Sequence, residues 1–303
     1  MHPALARLQG TVGIWTTTHE TIRPSRIGAV TSILEAGGFS AIWAPEAYGR
    51  EAMTGALLLL EASSTLVVAT GIASIYARDA MAAAAASRTL AERSSERFVL
   101  GLGVSHRPLV ERTRGGVYDP PLEAMSRYLD AYEGASVLSA ERDVAPPVVL
   151  AALGPKMLHL ATTRTDGALT YLVTTEHTAR ARSALGPDSF LAVEQSVVLG
   201  EERDEFLRRA HEHLNWYTGL ENYRASWRRL GFGDEDFVRG GSERLCDAIV
   251  AHGDADAIVR RVGEHMAVGA DHVCLQVLGA SVAEVPFDQW SQLGERRSRG
   301  ASM

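Results

Sequence analysis

Short apolar runs alternate with amphipathic segments along the whole chain. Each apolar run is bounded by glycine, proline or polar residues, which is typical of parallel strands buried on both faces. This pattern predicts eight strands, at residues 11–16, 41–44, 66–72, 98–103, 148–152, 168–173, 191–199 and 271–277.

The segments between these strands have the apolar periodicity of helices. Residues 23–36 place Ile27, Val30, Ile33 and Leu34 on one stripe. The other predicted helices are an alanine-rich one at 79–93 with Asp79 as its N-cap, one at 155–165 that opens with proline, and one at 255–268.

Eight strand–helix units in a chain of 303 residues predict a (β/α)8 TIM barrel, formed as a single domain over residues 1–303. A doubly wound open sheet would need fewer strands and a glycine fingerprint after the first one. Here Gly10 and Gly13 precede or lie inside the first strand. We therefore expect the barrel.

Two connections are long for a compact domain, at residues 107–121 and 219–241. Such loops are often functional lids, and the alternative is a plain surface excursion or a dimer contact. The tail at 294–303 is predicted to be frayed.

The composition excludes several classes of protein. A formal charge of −7 argues against a nucleic-acid-binding surface, and the longest apolar runs are too short to cross a membrane. Cys246 and Cys274 are far apart and have no metal-binding spacing, and no secretory signal is recognised, so we expect a cytoplasmic protein without a metal. Lys156 is the only lysine, which disfavours an aldolase-type barrel.

The most informative motif is residues 97–106, a buried strand that ends at Gly103 and continues into Val104, Ser105 and His106. Ligands bind at this end of strands in parallel α/β proteins, and Gly103 would let a ligand approach the backbone. We interpret His106 as a proton donor or a hydrogen-bond partner of a ring, the alternative being a surface histidine. The third glycine of a dinucleotide fingerprint is missing, so a Rossmann site is rejected.

A second motif joins a strand to a helix through Ala152, Leu153, Gly154, Pro155 and Lys156. Free N–H groups at the start of a helix can hold a phosphate, although an ordinary turn would have the same sequence.

Other strand ends also present candidate residues. Trp15 and Thr16 end the first predicted strand, Glu46 lies just after the second, and Gly71 and Ile72 end the third. The sequence has no second glycine at the spacing of a serine-hydrolase elbow, so that class is disfavoured.

These motifs occur in an order and spacing that resemble the luciferase-like monooxygenase superfamily. Within it, the chain is similar to the coenzyme F420-dependent oxidoreductases typical of actinobacteria. The segments that carry this resemblance are 38–43, 69–72, 97–106, 151–155, 168–174 and 269–273.

The resemblance implies a TIM barrel that binds the coenzyme at the carboxyl ends of its strands. It also implies a non-proline cis peptide at Gly71–Ile72, in a bulge behind the coenzyme ring, and a phosphate site near Gly154 and Pro155. The cofactor contacts expected from the motifs and the resemblance are Trp15, Thr16, Glu46, Gly71, Ile72, Gly103, Val104, Ser105, His106, Ala152, Leu153, Gly154, Pro155, Lys156 and Tyr171.

The resulting hypothesis is hydride transfer between coenzyme F420 and a small organic substrate, with His106 or Glu46 moving the accompanying proton. One alternative is an FMN monooxygenase that receives reduced flavin from a partner reductase. A second alternative is a catalytically silent barrel that binds a flavin-like ligand. Because members of the superfamily are often dimers, we expect a homodimer.

Overall fold

Eight parallel strands close into a barrel in the computed structural model, which describes residues 1–94, 96–138, 144–279 and 284–300, with side chains up to residue 297. Its strands are β1 (Thr11–Trp15), β2 (Ala41–Pro45), β3 (Val67–Ser74), β4 (Phe98–Gly103), β5 (Val148–Ala151), β6 (Gly167–Thr170), β7 (Phe190–Leu199) and β9 (His272–Val277). Neighbours pair in chain order, and β9 pairs with both β7 and β1, which closes the ring. This confirms the predicted (β/α)8 barrel and all eight predicted strands.

Helices surround the barrel and connect its strands. They are α1 (Pro3–Ala6), α2 (Thr18–Thr21), α3 (Ile27–Ala36), α4 (Ala52–Ala62), α5 (Ala80–Ser94), α6 (Pro121–Glu133), α7 (Pro155–Arg164), α8 (Thr175–Leu185), α9 (Arg203–Tyr217), α10 (Glu221–Arg228), α11 (Glu243–Ile249), α12 (Ala255–Ala267) and α13 (Phe287–Gly300). The predicted N-cap of α5 is confirmed, because the Ala82 N–H donates to Asp79 Oδ1 at 2.8 Å. None of the helices in the described ranges has the length and apolar character needed to cross a bilayer.

Alternate residues of each strand enter two different apolar clusters. Residues that face the barrel interior, such as Trp43 and Phe190, pack with one another, and Leu5 of α1 joins them at the end where the strands begin. Residues that face outward, such as Leu100 and Leu191, pack against the helices. Both faces of the strands are therefore buried, which explains their nearly continuous apolar sequences.

Two connections between strands differ from the prediction. A short additional strand, β8 (Ala251–Gly253), pairs with the end of β7 outside the closed ring. The 219–241 connection contains α10 and a 3-10 turn (Asp234–Phe237), so it is not a simple loop.

The tail predicted to be frayed from Gly294 is helical up to Gly300. Trp290 and Leu293 of α13 are buried where that helix packs on α3 and α12, and Gly294 lies so close to Gly37 that a Cβ would stand 2.5 Å from the Gly37 Cα. Arg296 also pairs with Asp256 of α12. These contacts stabilise the helix, and residues 301–303 lie outside the described part of the chain.

We predict that Gly101→Ala destabilises the barrel by about 1–3 kcal/mol, because the new methyl group has no space. It would stand 2.0 Å from the carbonyl oxygen of Thr70, whose side chain is itself bonded to both backbone groups of Gly101. Gly28→Ala is the matched control, because its methyl group meets nothing within 4 Å in α3 and should keep or slightly raise stability. Urea unfolding measures both, and equal stabilities would contradict the prediction.

Candidate functional site

A cavity of about 680 Å³ opens at the carboxyl ends of the strands. Its walls are largely apolar and aromatic. Among the residues predicted from the sequence, the structure brings eleven into this wall: Trp15, Glu46, Ile72, Gly103, Val104, Ser105, His106, Ala152, Leu153, Gly154 and Tyr171. We refer to it as the main cavity.

A bulge in β3 directs Ile72 into the main cavity. The pairing of β3 with β2 skips Gly71, since Thr70 pairs with Ala44 and Ile72 with Pro45. The Ile72 Cγ2 atom then lies so close to β4 that a Cβ on Gly103 would stand 2.2 Å from it. Gly103 therefore makes room for Ile72, rather than only for a ligand.

The bulge expected at this position is present, but the expected cis peptide is not. All peptide bonds in the described ranges are trans, including Gly71–Ile72. The extra residue in the strand register produces the bulge without isomerisation.

Four predicted contacts lie outside the wall of the main cavity. Gly71 packs behind Trp15, where a Cβ would be 3.1 Å from the indole nitrogen. The Thr16 hydroxyl donates to the Thr18 hydroxyl at 2.8 Å. Pro155 and Lys156 are exposed in the first turn of α7, and their side chains do not line the main cavity.

Glu46 is held by three donors. Its Oε1 accepts from Arg78 and from the Ala52 N–H at 3.2 Å, and its Oε2 accepts from the Ser74 N–H at 2.9 Å. Arg78 also pairs with Glu51 at 2.7 Å. Glu46 thus ties the end of β3 to the start of α4, and these lone pairs are already occupied.

His106 reaches the cavity through a strained backbone. Ser105 has a left-handed conformation with φ of 55°, which turns the chain sharply after β4. The His106 ring lies 5.9 Å from the ring of Tyr223, and burial lowers its pKa to about 4, so the imidazole is neutral at pH 7. In the described part of the chain its ring nitrogens have no hydrogen-bond partner.

The start of α7 presents donors at one end of the main cavity. Gly154 is its N-cap, and Met157 already donates to the Gly154 carbonyl oxygen at 3.1 Å. Among described residues, the N–H groups of Gly154 and Lys156 have no acceptor. Arg229 lies beside them, with its Nη2 donating to Leu153 O at 3.1 Å. Together they form a site of positive potential suited to an anion.

Both long connections contribute to the wall of the main cavity. Leu109 and Tyr118 come from the first connection, and Tyr223 and Arg229 come from the second. The first connection is anchored at Tyr118, whose hydroxyl donates to Ser105 O at 3.4 Å and whose ring packs 5.7 Å from that of Tyr76. This favours the functional interpretation of both segments over a plain surface excursion.

A second cavity of about 320 Å³ adjoins the first. We call it the smaller cavity. The two share the walls formed by Trp15, Thr17, Trp216 and Tyr217, and the smaller one is also lined by Thr16, His213 and Gln276. Trp216, Tyr217 and Gln276 were not among the residues predicted from the sequence.

Comparison with known proteins identifies the family. The sequence profile of the luciferase-like monooxygenases matches residues 8–274. The chain belongs to that family.

Other similarities of this luciferase-like chain are more distant. It is 30% identical over 107 residues to a protein from Mycobacterium tuberculosis (strain ATCC 25618 / H37Rv) named as a coenzyme F420-dependent oxidoreductase. That alignment covers 35% of this chain and 31% of the relative's length.

Solved structures share the fold over nearly the whole chain. The coenzyme F420-dependent tetrahydromethanopterin reductase of Methanopyrus kandleri superimposes with a TM-score of 0.69 at 17% identity, covering 94% of this chain and 97% of its own. An F420-dependent secondary alcohol dehydrogenase, solved with an F420–acetone adduct, gives 0.68 at 14% identity, covering 95% and 98%. The EDTA monooxygenase of Chelativorans sp. BNC1 gives 0.71 at 12% identity, covering 96% and 94%.

A buried acid on the interior face of β7 was missed in the sequence of this family member. Glu194 of β7 is fully buried and accepts from the Leu172 N–H at 3.0 Å and from the Ser196 hydroxyl at 2.7 Å. Burial raises its pKa to about 7. The polar run from Glu194 to Ser196 inside an otherwise apolar strand was the available signal.

We predict that Glu194→Gln becomes more stabilising, relative to the wild type, as the pH rises. The folded chain holds the Glu194 proton up to about pH 7, whereas the unfolded chain releases it near the ordinary pKa of 4.5. The wild type therefore loses free energy of unfolding as the pH rises between these two values, while Glu194→Gln does not. The difference in free energy of unfolding between the two proteins should change in favour of the variant by roughly 2–3 kcal/mol from about pH 5 to about pH 8.

Chemical unfolding across that pH range measures the difference. Glu123→Gln, at an exposed position of α6, is the control and should show no comparable trend. A constant difference for Glu194→Gln would show that the carboxyl group titrates normally in the fold.

Proposed function

We propose that this protein is an oxidoreductase that binds coenzyme F420 in the main cavity and exchanges a hydride with a small organic substrate. The observation that carries the proposal is the shape and chemistry of that cavity. It has apolar and aromatic walls suited to a planar ring, and one cationic end with free N–H donors suited to a phosphate.

The residues that would hold the coenzyme follow from this geometry. Ile72, on the β3 bulge, would pack against one face of the ring, while Trp15 and Tyr171, whose rings lie 5.1 Å apart, would bound the site beside it. The N–H groups of Gly154 and Lys156 and the guanidinium of Arg229 would hold the phosphate. When bound, the deazaflavin would supply the hydride chemistry.

The two predicted proton-transfer residues have different roles in this proposal. Neutral His106 would contact the coenzyme or the substrate as a hydrogen-bonding group. Glu46 would act as an anchor, because Arg78 and two backbone N–H groups occupy its oxygens. The Glu46 carboxylate would then keep the end of β3, and with it the bulge at Ile72, in position.

The choice of F420 over FMN rests on the related protein from Mycobacterium tuberculosis, which is named for F420. A phosphate site of this kind would serve either cofactor. FMN, with reduced flavin supplied by a partner reductase, is therefore the alternative that the first experiment must distinguish.

We expect the protein to bind F420 at micromolar concentration and FMN more weakly. The measurement is a fluorescence titration with oxidised F420, oxidised FMN and reduced F420 in parallel. Tighter binding of FMN, together with oxygen-dependent product formation, would favour the monooxygenase. Binding of a cofactor without turnover of any substrate tested would favour the silent barrel.

We predict that Arg229→Met weakens binding of the phosphate-bearing cofactor by roughly tenfold or more, because a charge-assisted contact is lost. The dependence of affinity on salt should decrease in the same variant. Arg228→Met is the matched control, since Arg228 pairs with Glu221 and Asp234 and does not line the main cavity. Equal affinities of the two variants would place the phosphate elsewhere.

A further inference from the structure

Three consecutive polar residues interrupt β7, and all three are buried. Gln195 faces the helices and is fully bonded there, since its amide donates to Ser196 O and Ile249 O and its oxygen contacts His265 Nε2 at 3.0 Å. Glu194 and Ser196 lie on the opposite face, toward the barrel interior. Their presence is not explained by packing, because the interior positions before them on β7 are the apolar Phe190 and Ala192.

Ser196 links Glu194 to the smaller cavity. Its hydroxyl donates to Glu194 Oε1 at 2.7 Å, and its oxygen lies 3.2 Å from His213 Nε2. Because the single serine hydrogen is directed to the carboxylate, the serine oxygen accepts from a hydrogen on His213 Nε2. The other ring nitrogen, Nδ1, has no acceptor or donor in the described ranges, and His213 lines the smaller cavity.

The chain of bonds is complete in both of its protonation states. With Glu194 ionised, the bonds run from His213 Nε2–H to Ser196 and from Ser196 to Glu194. With Glu194 protonated, the carboxyl donates to Ser196, and Ser196 donates to an unprotonated Nε2 on a ring that carries its hydrogen on Nδ1. Glu194 can therefore take up a proton without the loss of any hydrogen bond in this chain, so no other polar group is left unpaired.

No cation compensates Glu194 in the described part of the chain. The titratable groups around it are neutral at pH 7, because burial raises the pKa of the phenols and the thiol and lowers that of the imidazole; they are Tyr171, Tyr217, Tyr223, Cys274 and His213. An acid buried without a counter-ion is costly for stability alone, and such groups concentrate at functional sites. The same burial raises the pKa of Glu194 to about 7, where it can both take and release a proton.

We propose that His213, Ser196 and Glu194 form a proton relay that serves an alcohol or carbonyl substrate held in the smaller cavity. The proposal rests on the proposed function for the redox reaction itself. The shared wall of Trp15, Thr17, Trp216 and Tyr217 places this substrate beside the coenzyme site. Gln276 also lines the smaller cavity, and its oxygen accepts from the Tyr171 hydroxyl at 2.8 Å. Its amide nitrogen has no acceptor among the described residues and would donate to the substrate oxygen.

In alcohol oxidation, the substrate O–H bond breaks and His213 Nδ1 takes the proton. The Nε2 proton passes to Ser196, and the serine proton passes to Glu194, which becomes a carboxylic acid. The substrate carbon gives up its hydrogen with the electron pair to the oxidised coenzyme, and a carbonyl group forms. Carbonyl reduction uses the same steps in reverse, with Glu194 as the source of the proton.

Infrared spectroscopy of the protein without coenzyme tests the hydrogen-bonded chain. We expect a protonated-carboxyl band that titrates near neutral pH, is absent in Glu194→Gln, and shifts in frequency and midpoint in Ser196→Ala and His213→Asn. His211→Asn is the matched control on α9, because His211 contacts Gly240 O instead, and it should leave the band unchanged. A band that is insensitive to Ser196→Ala and His213→Asn would overturn the relay.

Steady-state kinetics with F420, and with propan-2-ol as the probe alcohol, test whether the relay takes part in the reaction. Glu194→Gln and Ser196→Ala should lose roughly 10²-fold in kcat or more, together with the inflection near pH 7, while the affinity for F420 is unchanged. Added imidazole should partly restore His213→Ala. Unchanged kcat and pH profile in Glu194→Gln would overturn the relay but leave the proposed function intact.

The two proposals fail in distinguishable ways. Absence of F420 binding in the wild type would contradict the proposed function. In that case, or if the protein binds F420 but does not oxidise propan-2-ol, the relay is tested by the infrared spectra of the variants alone. A carboxyl band that shifts in Ser196→Ala and His213→Asn supports the relay, and an unchanged band rejects it.

Discussion

The closure of the barrel through β9 is the constraint on which the rest of the structure depends. His272 to Leu275 of the last strand pair with Thr11 to Ile14 of the first, across almost the whole length of the chain. This pairing satisfies the backbone groups that would otherwise form two open sheet edges. It also brings the carboxyl ends of all eight strands into one ring. Trp15, Tyr171 and Gln276, which come from three different strand ends, meet there for that reason.

Within this ring, polar groups hold the strand ends in unusual conformations. Glu46 and Arg78 brace the end of β3, where the bulge directs Ile72 into the cavity. Leu172, after β6, has a left-handed φ of 55°. Its N–H donates to Glu194, and its carbonyl oxygen accepts from the Trp227 indole at 3.1 Å. Backbone strain of this kind persists only where surrounding hydrogen bonds hold it, and here those bonds come from Glu194 and Trp227, which lie far from Leu172 in the chain.

Sequence reasoning succeeded wherever one local pattern had one physical cause. Strands buried on both faces must be apolar throughout, so the eight runs were recognisable. Prediction from the sequence was less successful for segments that are held in a regular structure by contacts with residues far away in the chain. The α10 segment is strongly polar, and its buried face consists mainly of Tyr223 and Trp227, packed on residues far away in the chain. The tail from Gly294 was predicted to be frayed, but the close approach of Gly294 to Gly37 is a feature of packing and not of local propensity.

The sequence by itself determined the barrel and brought eleven of its fifteen predicted contact residues to the wall of one cavity, because strand periodicity and strand-end chemistry are local properties. Only the tertiary structure decided what each of those residues does. Gly71 and Gly103 accommodate Trp15 and Ile72, Glu46 is committed to Arg78, and Arg229 comes from a distant helix end to join Gly154. The connection of Glu194 to His213 through Ser196 was likewise invisible in the sequence. Hydrogen bonds and close contacts between distant segments have no local signature, and they exist only once the barrel has closed.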